Sequence, residues 1–248
     1  PGAVEHALPL KPIDALLPRL NALVAGARDG IRIALVGGGA GGAEMALALA
    51  ARISSARVAL VALATGLLPG FPDRFRARLR RALAARGIAL HEGDDVSEVT
   101  RGGLRFGAAP PLVTDAVLWA TGVSPPAWLA ESGLPLDDRG FLSVEETLRV
   151  VGEDAIFAAG DVAGFAARPL PKAGVYAVRQ GPVLARNLRA AAAGGAPTPY
   201  WPQRNTLFLL SLGDGSAIGT RNGLSFEGRW VWWWKDWIDR RFMRRYAE

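Results

Sequence analysis

Apolar and polar positions along this chain alternate between short buried-strand runs and helical faces. Residues 31–36 form an apolar run, and an alanine-rich helical pattern with Met45, Leu47 and Leu49 follows over 41–53. A second apolar run, 58–63, leads to an amphipathic, arginine-rich helix over 71–86, begun after Pro72 and Asp73 and stopped by Gly87. Ahead of them, residues 1–29 carry several prolines and then a helical spacing of Ile13, Leu16, Leu17, Leu20, Leu23 and Val24. They read as an entry linker and one helix. After Gly87 come short β segments, 88–92, 96–100, 104–106 and 116–118, separated by glycine, proline and charge. Strand–helix–strand–helix–strand, a small meander and a closing strand predict an α/β domain with a parallel sheet.

Past Gly122 a loop with Pro125 and Pro126 opens a second unit, with strands expected at 141–144 and 155–158 and a helix over 176–193. Proline-rich 196–202 reads as a linker. Beyond it, 206–212, 216–220 and 224–227 read as hairpin strands turned at Gly213, Asp214 and Gly215 and at Asn222 and Gly223. A tryptophan- and arginine-rich helix closes the chain. The expected division is 1–29, 30–120, 121–195 and 196–248.

Composition narrows the chemistry. Half of the 248 residues are hydrophobic, enough for a core, and the net charge is +6. The absence of cysteine excludes disulfides, thiolate metal sites and a redox C-x-x-C pair. The two histidines, His6 and His91, stand far apart, so no metal site is expected. No basic stripe accompanies a nucleic-acid motif, and nucleic acid is not an expected partner. No apolar run reaches about 18 residues, so no membrane span is expected.

Within IRIALVGGGAGGAE, Gly37, Gly39 and Gly42 fit G-x-G-x-x-G at a strand-to-helix turn, with Gly38, Ala40 and Gly41 between them. The first glycine permits the tight turn, the second lets the backbone approach a pyrophosphate, and the third lets helix and strand pack closely. The helix N-terminus adds unpaired N–H groups and a positive dipole end. A tight βα turn without a ligand is the alternative. The following strand, which includes Ala62, lacks the acidic residue that usually holds the adenosine ribose. No carboxylate appears before Asp73 and no arginine replaces it, so NAD against NADP stays open. Glu44 either faces the nicotinamide or complements the helix dipole.

The order of this turn, then Ala120, Thr121 and Gly122, then Ala158, Ala159, Gly160 and Asp161, resembles the pyridine nucleotide–disulfide oxidoreductase superfamily. The resemblance implies a Rossmann-type NAD(P)-binding domain, the second segment of an FAD-binding domain and a small C-terminal hairpin and helix domain. By position, Gly160 and Asp161 would hold the flavin ribityl and phosphate region. Pro171, Lys172 and Ala173, with Tyr176, Arg179 and Gln180, resemble the segment that passes the flavin ring. The 176–193 helix would then aim its positive end at the ring. Without cysteine the chain resembles the type II NADH dehydrogenases among these proteins. PLPKAGVYAVRQGPVLARNL and EGRWVWWWKDWIDRRFMRRY resemble more closely the flavoprotein module fused to selenide, water dikinase.

That resemblance implies FAD and NAD(P)H as cofactors and hydride transfer from nicotinamide to flavin. The acceptor would be a quinone or a selenium or sulfur species. Lys172 and Gln180 are the candidate catalytic residues. It also implies a first FAD motif upstream of residue 1, so the chain is expected to be a piece of a longer protein. Homodimerisation is expected through the hairpins and last helix. Trp230, Trp233, Trp234, Trp237, Ile238 and Arg241 share one side of that helix. They face a membrane surface, or they pack on the hairpins, a fused domain or a second subunit; the expected location is the cytoplasm, at the inner face of the membrane under the first reading. A non-catalytic nucleotide-binding or docking module is the competing reading.

Overall fold

The computed structural model describes residues 1–203 and 206–245; 204–205 and 246–248, within the expected linker-and-hairpin segment, lie outside the described residues. The chain forms α1 (Ala3–His6), β1 (Leu8–Pro9), α2 (Ile13–Ala25), β2 (Arg32–Val36), α3 (Ala40–Arg52), β3 (Arg57–Ala62), α4 (Asp73–Ala85), β4 (Ala89–Glu92), β5 (Val96–Thr100), β6 (Gly103–Phe106), β7 (Leu112–Val113) and β8 (Ala116–Trp119). Then follow β9 (Leu142–Val144), β10 (Ala163–Phe165), α5 (Gly174–Ala192), β11 (Phe208–Ser211), β12 (Ala217–Arg221), β13 (Leu224–Gly228) and α6 (Arg229–Met243). They gather into two compact units, Pro1–Thr121 with the described residues from Leu207 onward, and the described residues of Gly122–Thr206.

The first unit is built on a parallel sheet in the order β1-β8-β2-β3-β4. Its central strands carry almost uninterrupted apolar residues because both faces are covered. Ile33, Leu35, Leu47, Leu60, Phe75, Leu79 and Leu83 are fully or almost fully buried. Each such side chain contributes about 1.5–3 kcal/mol by leaving water. Leu210, Leu212 and Ile218 of the antiparallel β11-β12-β13 sheet join that same cluster. The C-terminal hairpins therefore share the core of the first unit, whereas the sequence set 196–248 apart.

Two expectations change here. The entry linker is not featureless, since Leu8 and Pro9 pair in parallel with Leu118 and Trp119 and extend the sheet by an edge strand. Pro9 disguised it, yet an edge tolerates a residue without an N–H. Residues 155–158 form no strand. Val150 N donates to Ile156 O at 2.9 Å and Ala158 N to Leu148 O at 2.9 Å, a tight antiparallel return joined by an isolated Arg149–Phe157 bridge. The strand that pairs in parallel with β9 is β10, which the sequence pattern did not mark.

The second unit has a small core of Leu129, Leu142, Val144, Val150, Ala158 and Ala163. Asn187 of α5 is fully buried and fastens two loops. It donates to Thr147 O at 2.7 Å and Thr198 O at 2.8 Å, and it accepts from Thr198 N at 2.9 Å.

Candidate functional site

The glycine turn of the first unit joins the C-terminal end of β2 to the N-terminus of α3. Its inner wall has no room for side chains. Gly37 sits at φ +131°, and a Cβ there would lie 2.5 Å from the Ala120 carbonyl. A Cβ at Gly42 would run into the Gly37 carbonyl and meet Ala120 Cβ at 3.3 Å. One at Gly38 would stand 2.6 Å from Ala62 Cβ. The outer side is the reverse. Gly39, Ala40 and Gly41 are exposed, and Cβ atoms at Gly39 and Gly41 would meet nothing within 4 Å. No side chain caps α3 at Gly39. The sequence thus builds a turn sealed within and open without, where the first backbone N–H groups of a 13-residue helix face outward. That donor set suits a diphosphate. Ala120 N donates to Val36 O at 2.7 Å, which brings 120–121 alongside the turn; Gly122, at φ +44°, begins the second unit.

The loop after β3 is anchored beside this turn. Leu68 N donates to Gly38 O at 2.8 Å, and Leu67 and Leu68 are fully buried. Leu67 N donates to Glu92 Oε1 at 3.0 Å, and Ala64 N to Asp95 Oδ1 at 3.0 Å. Sequence reasoning passed over both acids. The signal was the parallel register of β3 and β4, which sets Glu92 beside Ala62.

Glu44 has a partner that neither reading of the sequence supplied. Its carboxylate accepts from Ser211 N at 2.8 Å, with Lys235 Nζ of α6 4.0 Å away. Lys235 belongs more closely to Asp239, at 2.8 Å. Burial pushes the Glu44 carboxyl up, against the Ser211 N–H and the Lys235 charge. The folded chain thus favours the protonated form. That contribution is fully present below the ordinary carboxyl value of 4.5 and is lost as pH rises through the higher folded value. Glu44→Gln keeps an acceptor for Ser211 N and is expected to flatten this loss. Thermal midpoints between about pH 4 and pH 7 check it, and a steeper fall in the variant contradicts it.

In the second unit the structure gathers Gly160, Asp161, Pro171, Lys172, Ala173 and Gln180 around the N-terminal turns of α5. Gly160, at φ +73°, donates its N–H to Gln180 Oε1 at 2.5 Å. Gln180 is 3% exposed. Lys172 Nζ donates to Ala163 O at 2.5 Å and lies 3.8 Å above the Phe141 ring. Burial pushes its ammonium down, partly opposed by Asp137 and Asp161. Both candidate catalytic side chains are thus engaged by the chain itself. The enclosed space is about 10 Å³, room for one water. These residues fit one edge of a large polar group, offered by the start of a 19-residue helix, a carboxylate and an ammonium, rather than an enclosing cavity.

Trp230, Trp233 and Trp237 on α6 are each more than half exposed, and Val231 faces the core. Trp230 and Trp234 both stack on Phe226, and on each other. Among the described residues no group of acids and histidines is placed to hold a metal, and no helix is long and apolar enough to cross a membrane.

Residues 11–181 match the family model described as pyridine nucleotide-disulphide oxidoreductase. The chain is similar to the demethylphylloquinone reductase NdbB of Synechocystis, 28% identical over 240 residues, covering 92% of this chain and 59% of that protein. The chain spans about half the length of other curated relatives it matches. A crystal structure of an FAD-dependent pyridine nucleotide-disulphide oxidoreductase from Desulfovibrio vulgaris is 28% identical, with a TM-score of 0.66 over 88% of this chain and 56% of that one. NDH2 from Plasmodium falciparum, solved in complex with NADH, shares the fold at a TM-score of 0.80 and 13% identity, covering 97% of this chain and 70% of that one.

Proposed function

Because the chain belongs to the pyridine nucleotide-disulphide oxidoreductase family, we propose that it is the NAD(P)H-binding and flavin-contacting part of an FAD-dependent NAD(P)H oxidoreductase with a quinone acceptor. One observation carries the reading: the glycine turn is closed to side chains on its inner wall and open at Gly39, Ala40 and Gly41 on its outer side. A merely tight βα turn has no need of the second property. The similarity to a demethylphylloquinone reductase supports the quinone.

The amides of 39–41 bind the nucleotide diphosphate, while Gly37, Gly38 and Gly42 let the chain pack tightly behind it. Ala62 borders the ribose end, and Ala120 and Thr121 back the turn. Asp161 and the first amides of α5 hold a polar edge of the flavin. Gln180 keeps Gly160 in place, and Lys172 holds a cation beside Asp161. The bound coenzymes supply the redox chemistry, hydride passing from nicotinamide to flavin and electrons onward to quinone.

The chain reconstituted with FAD is expected to lose its yellow absorbance when NADH or NADPH is added and to regain it with a soluble quinone. A chain that takes up flavin and stays yellow under both nucleotides sinks the oxidoreductase reading and leaves the non-catalytic module.

The outer face of α6 supports a second contact, with a membrane surface. Three exposed indoles precede the arginine-rich end of the helix, where Arg241 lies 5.3 Å from the Trp237 ring centre, a combination an interfacial helix uses. A Trp233→Ser/Trp237→Ser chain is expected to pellet with anionic lipid vesicles much less than the native chain. Equal pelleting removes this contact.

A further inference from the structure

Resting on the nucleotide reading above, we infer that Asp95, with Glu92 beside it, supplies the carboxylate that selects an unphosphorylated adenosine ribose, so that the turn takes NADH in preference to NADPH. The usual place for that acid is the end of the second strand, about 20 residues past the glycines. Here that position is Ala62, buried and apolar. The sequence therefore left the choice of nucleotide open.

The fold brings carboxylates to the same place from the neighbouring strand. A Cβ on Gly38 would be 2.6 Å from Ala62 Cβ, so the glycine turn and the end of β3 are in direct contact. Glu92 stands in register beside Ala62. Its Oε1 accepts from Leu67 N, and Asp95 Oδ1 accepts from Ala64 N, two residues past Ala62. The two acids hold both ends of the loop where a ribose leaving the turn would lie.

They differ in what they have left to offer. Arg80 clamps Glu92 through Nε at 3.0 Å and Nη2 at 2.8 Å and holds its carboxyl below the usual range. That charge is largely answered. Asp95 is exposed, and among the described residues it has no ion-pair partner. A carboxylate accepts from ribose hydroxyls, which are donors. A 2′-phosphate there brings further negative charge against Asp95; Arg80 is already bidentate on Glu92, and Arg76, whose charge also reaches Glu92, is paired with Asp73. Rejection of the phosphorylated nucleotide then comes from repulsion as much as from contact with the preferred one.

Isothermal titration of the 248-residue chain with NADH and with NADPH tests this, alongside Asp95→Asn and Asp95→Ala. The native chain is expected to bind NADH at least about tenfold more tightly than NADPH. Asp95→Asn keeps an oxygen for Ala64 N while losing the charge, so the loop stays anchored and the ratio falls toward parity. A merely structural role predicts something else: Asp95→Ala would weaken both nucleotides by the same factor, and Asp95→Asn would change neither. That pattern, or a native chain without preference, overturns the role of Asp95 and leaves the nucleotide site intact. Binding of neither nucleotide fails the glycine-turn reading itself.

Discussion

A chain carrying Gly39→Asp is expected to melt at or above the temperature of the native chain while binding NADH about 100-fold more weakly, equivalent to ~2.7 kcal/mol. The two effects have one origin. Gly39 is the residue just before α3, at φ −73° and ψ 175°, an extended conformation any residue adopts. A Cβ there meets nothing, so substitution strains nothing. An aspartate at this position accepts from the first N–H groups of the helix and complements its dipole, a gain of about 0.5–2 kcal/mol over an uncapped end. Those N–H groups are the ones proposed to hold the diphosphate, and the new carboxylate both occupies them and repels the ligand. Gly42→Ala makes the contrast. Its Cβ drives into the Gly37 carbonyl, so that variant is expected to lose about 1–3 kcal/mol of stability along with binding. Urea unfolding and calorimetric titration on the same samples separate the cases. Unchanged NADH affinity in a folded Gly39→Asp chain contradicts the assignment of the turn.

The second large effect lies in the other unit. Asn187→Leu is expected to lower the stability of that unit by about 1–3 kcal/mol, because Thr147 O, Thr198 O and Thr198 N lose a partner that is itself fully buried. The side chains are close in size, so lost packing does not account for a change of that order. Asn187→Asp keeps the oxygen for Thr198 N and loses both donated bonds, and it falls at least as far if the buried charge stays ionised. Urea unfolding followed through Tyr200, whose backbone N–H donates to Glu146 O in the same network of loops, reports on this unit. A loss under about 1 kcal/mol for Asn187→Leu means that water reaches these groups after all.

What the sequence revealed and what it concealed divide along a physical line. The glycine turn was legible because its requirements are local: a tight turn, a close approach and a helix start must fall within six residues. The central strands were legible because burial on both faces leaves apolar runs. Interactions set by register were not. Glu92 lies thirty residues past Ala62 and comes beside it only because β3 and β4 run parallel in one particular alignment. Glu44 reads as a residue that faces the nicotinamide or complements the helix dipole, and its bond from Ser211 N becomes visible only when β11 is in place. Nothing around Gln180 in sequence shows what its amide meets, and only the return of the chain at Gly160 supplies the partner. The hairpins read as a separate C-terminal piece because nothing in their own pattern shows that Leu210 and Ile218 complete a core begun near residue 31.

Hydrogen exchange at individual amides, followed with and without saturating NADH, tests the central claim most directly. Protection is expected to rise at residues 39–41, the exposed start of α3, with little change along β11 to β13. Exchange there that is indifferent to a nucleotide shown by titration to be bound would place the diphosphate somewhere else and contradict the account.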